Sequence, residues 1–380
     1  MTNQLPTIVQ NLPGYPGKPT LNRWFDIWIN TYKKGHVKPT TLDTYLAIYN
    51  KHIRNNIGDH CLCDFRQVHI RSYLNSILAQ GYSFKYLGTI QTLLNMLFES
   101  AIDNELISTN PCSHIPRSKV DLCERRVLSI SEQQKISHML LRHRFNRIEP
   151  LITTLLGTGL RIGEALGLRW TDIHPSIEEL SYIINRDCDS TPYLTVSNTL
   201  VRVNNEFGSG THYILQPPKT RSSIRSIPLQ RKVTAALLRQ WSIKKNDMSD
   251  SNWSPLPGLD NLVFSGKKGQ PQWRSTIESR IGTIIKTINE EEIKMAESEK
   301  RSPDLIEKVL PHTFRHTFAT RSLEAGIPPK IVQHWLGHAS IKMTLDLYTH
   351  VSEDLSTIQM DILEKYMKDP DEYNNHSCID

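Results

Sequence analysis

A block of β-branched residues, 182–229, interrupts a chain that is otherwise written in helical period. This single change of pattern limits the fold to mainly α with a small antiparallel β-sheet. Before it, four apolar stripes follow one another. Thr20 is a candidate N-cap, and Leu21, Trp24, Phe25 and Trp28 follow it at i, i+3, i+4 and i+7. A second helix is expected over 40–56, with Leu42, Tyr45, Tyr49 and Ile53 on one face. A third is expected near 67–80, stopping at Gly81, and a fourth over 84–104, carried by Ile90, Leu93, Leu94, Leu97, Phe98 and Ala101. Residues 20–108 thus read as a compact helical domain behind a Pro/Gly-punctuated tail, 1–19.

The stretch 109–125 has prolines and basic residues but no periodicity, and reads as a basic interdomain linker, either a solvated tether or a strap against phosphates. The second domain is expected over 126–368. Ser131 and Gln134 form a candidate capping box. Helices are expected at 148–157 and 161–168, then hairpins through 182–229, with runs such as YLTVSNTLVRV and THYILQ. Further helices are expected at 230–245, 275–299, 313–325, 329–336, 340–347 and 353–367. The stretches 246–260 and 299–309 read as surface insertions, and 369–380 as a polar tail.

Composition removes several functions. No apolar run approaches the roughly 20 residues of a membrane span, and the N-terminus has no secretory pattern. Six scattered cysteines fit a reduced, cytoplasmic protein. A net charge of +6 is compatible with an anionic partner without requiring one.

Chemistry concentrates in five places. Arg161, in GTGLRIGEALGLRW, follows a Gly-rich turn where a guanidinium could hold two phosphate oxygens, and Glu164 could buttress it from i+3. The glycines do not match G-x-G-x-x-G, and the chain has no G-x-x-x-x-G-K-[ST], which argues against dinucleotide or ATP chemistry. His312 and Arg315 share a helical face in LPHTFRHTFAT. His338 follows in LGHAS, and Tyr348 in TLDLYTH. The region is rich in histidine but has no H-E-x-x-H, so a catalytic zinc is not expected. Lys219 lies between two expected strands in PPKTRSSIRSIPL, where it could protonate a leaving alkoxide. A phenol of pKa about 10 becomes a nucleophile only beside a base or strong positive charge. Read singly, each residue has an ordinary structural alternative: a surface ion pair, a satisfied histidine, a turn lysine, a packing tyrosine.

Read in order, TGLRIGEALGLRW, PPKTRSSIRSIPL, LPHTFRHTFAT and LGHASIKMTLDLYTH resemble the tyrosine recombinase family, the phage and transposon integrases, over residues 125–350. The helical segment before them is similar to that family's core-binding domain. The resemblance implies a C-shaped two-domain clamp on DNA and strand cutting and rejoining through a 3′-phosphotyrosine. It implies that Arg161 and Arg315 clamp the scissile phosphate and that Lys219 protonates the departing 5′ oxygen. His312 would be a general base or acid, His338 would take the second His/Trp position, Tyr348 would be the nucleophile, and Glu164 would support Arg161. It further implies double-stranded attachment sites, a homotetramer on DNA, an excisionase and a DNA-bending protein as partners, and neither metal nor ATP as cofactor. Only about twenty residues precede the first expected helix, too few for the arm-site domain that many such integrases carry. Two competing readings use the same residues differently. A type IB topoisomerase-like enzyme would relax DNA as a monomer, and a silent DNA-binding regulator would form no covalent adduct.

Overall fold

The structure, a computed structural model, describes residues 19–116, 126–183, 191–204, 210–218, 223–345 and Met360. It divides into two compact units, 1–123 with 202–212, and 124–201 with 213–380. Among the described residues no helix is long and apolar enough to cross a membrane.

Apart from 202–212, which carry parts of two strands, the described residues of the first unit build helices and their connections. In α1, Leu21–Trp28, the Thr20 hydroxyl accepts from Arg23 N–H at 3.2 Å, and the four stripe residues are all buried. Two wider turns lengthen helices here: α1 runs on through Ile29–Lys33, and α2, Pro39–Ile48, through Tyr49–Ile53. With α3, Gln67–Ala79, and α4, Phe84–Asp103, they enclose one core. The buried Trp24 indole donates to the Leu97 carbonyl at 2.9 Å, and Phe25 stacks on Tyr49 with ring centroids 3.5 Å apart. The indole hydrogen bond matters because a buried, unpaired N–H would cost about 1–3 kcal/mol. The linker expected from residue 109 begins later than that. Cys112 is buried in this core, and Gln91 Nε2 donates to the Ile115 carbonyl at 3.0 Å.

The second unit opens with α5, Ile130–Leu140, and its cap differs from expectation. Ser129 and Glu132, not Ser131 and Gln134, exchange the reciprocal bonds, at 3.1 and 2.8 Å. The same S-x-x-E/Q spacing occurs twice, and the ionised glutamate at N3 is favoured by the helix dipole. Next come α6, Glu149–Thr158; α7, Ile162–Leu166; β1, Ile173–His174; and α8, Ile177–Ile183. Strands β2, Tyr193–Val196; β3, Thr199–Asn204; β4, Thr211–Gln216; and β5, Arg225–Pro228, follow. The helices α9, Arg231–Met248; α10, Arg274–Glu299; α11, Pro311–Glu324; α12, Pro329–Leu336; and α13, Lys342–Leu345, complete the described chain. The almost wholly buried α6 packs against α9 and α11.

The expected sheet is two sheets. Strand β2 lies between β1 and β5, antiparallel to both, with Leu194 opposite Ile173 and Ile227, while β3 pairs with β4 separately. Residues 182–183 end α8 instead of starting a strand, and two-residue β1 is too short to show a period.

The two expected insertions also differ. Helix α9 extends to Met248, and its buried Lys244 ammonium donates to the Asp260 and Leu262 carbonyls at 2.6 and 2.8 Å. In the second insertion Ile306 and Val309 enter the core, and Asn289 grips the Ile306 backbone twice, at 2.8 and 2.9 Å. Isolated apolar residues in a polar stretch gave no periodic signal. Replacing Asn289 by Ala strips both partners from a part-buried backbone and should lower unfolding stability by about 1–3 kcal/mol. An unchanged urea midpoint for full-length protein would show that residues 299–309 are not pinned there.

Candidate active site

The site forms where four segments meet the C-terminal end of α12. Helix α6 ends at Gly159, whose positive φ of 63° reverses the chain against Phe318 and Leu336. A side-chain Cβ there would lie 2.4 Å from the Phe318 ring, so glycine is needed both for the turn and for space. Two residues on, Arg161 is the N-cap of α7 and Glu164 its third residue. The Glu164 carboxylate accepts from the Arg161 backbone N–H and from its Nη1, both at 2.9 Å. The i+3 relation expected from sequence is thus a capping box built with a guanidinium.

Helix α12 ends at Gly337, with φ of 61°, and His338 N–H closes the turn onto the Gln333 carbonyl at 3.2 Å. The carbonyls of its last turn have no intrahelical partner. Three guanidiniums take them in succession. Arg225 Nε donates to Trp335 O at 2.5 Å, Arg315 Nη2 to Leu336 O at 2.6 Å, and Arg161 Nη2 to Gly337 O at 3.3 Å. Arg315 also donates from Nη1 to the Gly159 carbonyl at 2.7 Å, tying α11 to the α6 turn. Arg225 Nη1 and Nη2 reach both oxygens of Glu164, at 3.2 and 2.8 Å.

Of the residues expected from sequence, Arg161, Glu164, Arg315 and His338 meet here, the first three within one hydrogen-bonded network. His338 is partly exposed, and its Nδ1 shares a hydrogen bond with the fully buried Thr344 hydroxyl at 3.0 Å. His312 is in the first turn of α11, exposed, with its ring stacked 5.9 Å from that of His316. Lys219, Tyr348 and all of the expected helix 353–367 except Met360 lie outside the described residues. The sequence motifs passed over Arg225. Its signal was the period-two pattern of β5, in which Arg225 and Ile227 face inward together and Ser226 faces out. Among the described residues, no group of three or more His, Cys, Asp or Glu side chains converges to hold a metal ion.

Residues 197–354 match the phage integrase family, and residues 20–78 match the phage integrase N-terminal SAM-like domain. The tyrosine recombinase XerC-like protein of Caldanaerobacter subterraneus subsp. tengcongensis is 27% identical over 341 residues, 87% of this chain and 79% of its own length. The transposase from transposon Tn916 of Enterococcus faecalis is 26% identical over 290 residues, 75% of this chain; the chain spans 63% of that relative. The solved structure of the Tn1549 transposon integrase in complex with transposon right end DNA superposes with a TM-score of 0.66 at 25% identity. It covers 91% of this chain and 99% of that one.

This chain belongs to the phage integrase family. It is a tyrosine-type site-specific recombinase with a helix-rich fold and small antiparallel sheets.

The electrostatics of the recombinase site favour an anion. Three guanidiniums (Arg161, Arg225, Arg315) stand against one carboxylate (Glu164), leaving two positive charges. Arg315 is 3% exposed, and burial, with Arg161 adding, pushes its guanidinium down to about 9. Desolvation by the surrounding protein pushes the imidazolium of His312 down too. Arg315, Arg274 and Arg161 act in the same direction, so the neutral ring is favoured. Burial would raise the Glu164 carboxyl, but hydrogen bonds and charge from Arg225, then Arg161, outweigh it and hold it at about 2.

A carboxyl depressed on folding stabilises the fold fully above its ordinary value of 4.5, and that stability is lost as pH falls towards about 2. Wild-type recombinase should therefore unfold at higher temperature than Glu164→Gln at about pH 6, with the gap narrowing steadily towards about pH 3. Thermal melts showing a constant gap over that range would contradict the ionised, doubly clamped carboxylate.

Proposed function

We propose that this recombinase cuts and rejoins strands at DNA attachment sites through a 3′-phosphotyrosine formed by Tyr348, integrating and excising a mobile element. One observation carries the assignment: Arg161 and Arg315, held by backbone carbonyls at one helix end, give a net-positive site with one clamp reachable. The Arg161 side chain is 37% exposed. Among the described residues its carboxylate partner is Glu164, which leaves further guanidinium hydrogens for two non-bridging phosphate oxygens.

In this mechanism the Tyr348 oxygen attacks the scissile phosphorus, the P–O bond to the 5′ oxygen breaks, and the charge gathering on the equatorial oxygens rests on Arg161 and Arg315. Neutral His312 takes the phenolic proton. Lys219 delivers a proton to the departing 5′ oxygen, and His338, anchored to Thr344, flanks the phosphate. The released 5′ hydroxyl, or one from a partner duplex, attacks the phosphotyrosine in reverse. Bond energy is kept in the covalent link, so the reaction requires no ATP, and fixed guanidiniums replace a metal ion.

The partners follow from the chemistry. The substrate is double-stranded DNA, a reading supported by the Tn1549 transposon integrase having been solved in complex with transposon right end DNA. Joining two duplexes uses four strand cuts, which suits a homotetramer assembled on DNA. Direction is set outside this chain, by an excisionase and a DNA-bending protein.

The test is a nicked suicide duplex carrying the attachment site that flanks the gene, run on a denaturing gel with and without EDTA. Wild type should give a protease-sensitive shifted band in both conditions, and Tyr348→Phe should bind the duplex yet give none. A band from Tyr348→Phe, or one that vanishes with EDTA, would sink the mechanism.

A further inference from the structure

Two of the three guanidiniums at the end of α12 serve as phosphate clamps in the proposal above; Arg225 is left over. We infer that Arg225 is a positioning residue for strand cleavage, locking Glu164 and the last turn of α12 so that Arg161 and Arg315 stay aimed at the phosphate. The inference rests on the phosphate-clamp reading of the site.

The Arg225 side chain is 0% exposed and engaged with protein groups, so the proposed clamp does not call on it. Among the described residues, its side-chain hydrogen bonds go to the frame of the site: Ser223 O at 3.1 Å, Trp335 O at 2.5 Å and both Glu164 oxygens. Glu164 in turn has each oxygen shared. Oε1 accepts from Arg161 Nη1 and Arg225 Nη1, and Oε2 from Arg161 N and Arg225 Nη2. With Arg225 gone, the carboxylate would answer to Arg161 alone, free to turn and to draw the guanidinium off its aim. The Trp335 carbonyl held by Arg225 directly precedes the Leu336 carbonyl held by Arg315, so the same side chain braces the second clamp.

The surroundings are shaped to this guanidinium. A Cβ at Gly337 would lie 2.9 Å from Arg225 Nη1 and 3.1 Å from Cζ. Arg225 thus holds Glu164 and the last turn of α12 together with the Ser223 carbonyl just before its own strand. Lysine could not replace it: a point charge on a flexible stem cannot span two carboxylate oxygens and two carbonyls at once.

The test is single-turnover cleavage by full-length protein of a nicked attachment-site duplex. The scissile linkage is either a phosphodiester or an uncharged methylphosphonate. Arg225→Lys should bind the duplex like wild type and cleave the phosphodiester at least about tenfold more slowly. On the methylphosphonate, which has no charge to be clamped, most of that deficit should disappear. A general folding defect would slow both substrates equally. An equal deficit on both, or wild-type cleavage of the phosphodiester, overturns the inference. Should Arg225→Lys fail to fold, as judged by its melting temperature, Gly337→Ala presses a methyl group on Nη1 and takes its place. The same two substrates are then compared, and the same results support or overturn the positioning role. Cleavage by wild type is the control that separates the two claims. If it is absent, the proposed function fails; if it is present and Arg225→Lys behaves like wild type, only the positioning role fails.

Discussion

Three consecutive backbone carbonyls at the end of α12, each taken by a different guanidinium, are the contact on which the rest of this site depends. A helix end leaves its last carbonyls unpaired and slightly negative, and cations there are stabilised by both effects. The consequence is geometric. Arg161 comes from the cap of α7, Arg225 from a strand, Arg315 from α11, yet all converge within three residues. Glu164 completes the lock by taking two of them at once. Removing one member of such a buried pair typically costs about 3–5 kcal/mol, because the other is left charged and unpaired. Site geometry and fold stability are therefore coupled here.

The same contacts explain why the site should prefer a phosphate. Backbone carbonyls hold the arginines without neutralising them, so two positive charges remain beyond the one that Glu164 balances. Burial lowers the Arg315 guanidinium, and desolvation and the neighbouring cations push the His312 imidazolium down as well. In the proposed reaction an arriving phosphate would supply the negative charge that this site lacks, and His312 would take the proton of the attacking phenol. Charge that is fixed in advance needs no rearrangement as the transition state forms.

Local features were legible in the chain, and distant ones were not. The stripe of Leu21, Trp24, Phe25 and Trp28 shows its period within one helix, and the Arg161–Glu164 pair within one turn. Arg225 had a weaker signal, an inward position beside Ile227, and its partners stand 61 and 110 residues away. The split of the β-branched block into two sheets, and the burial of Ile306 and Val309, likewise depend on pairings that no local period encodes. The α12 carbonyls belong to every residue type alike, so nothing in the letters marks them as the hub.

If this hub is a preformed phosphate clamp, crystals of the recombinase soaked with tungstate will show it most directly. The anomalous signal should place one anion about 3 Å from Arg161 and Arg315, with Arg225 still engaged to Glu164 and Trp335. An anion bound elsewhere, or one that Arg225 swings out to hold, would contradict the clamp.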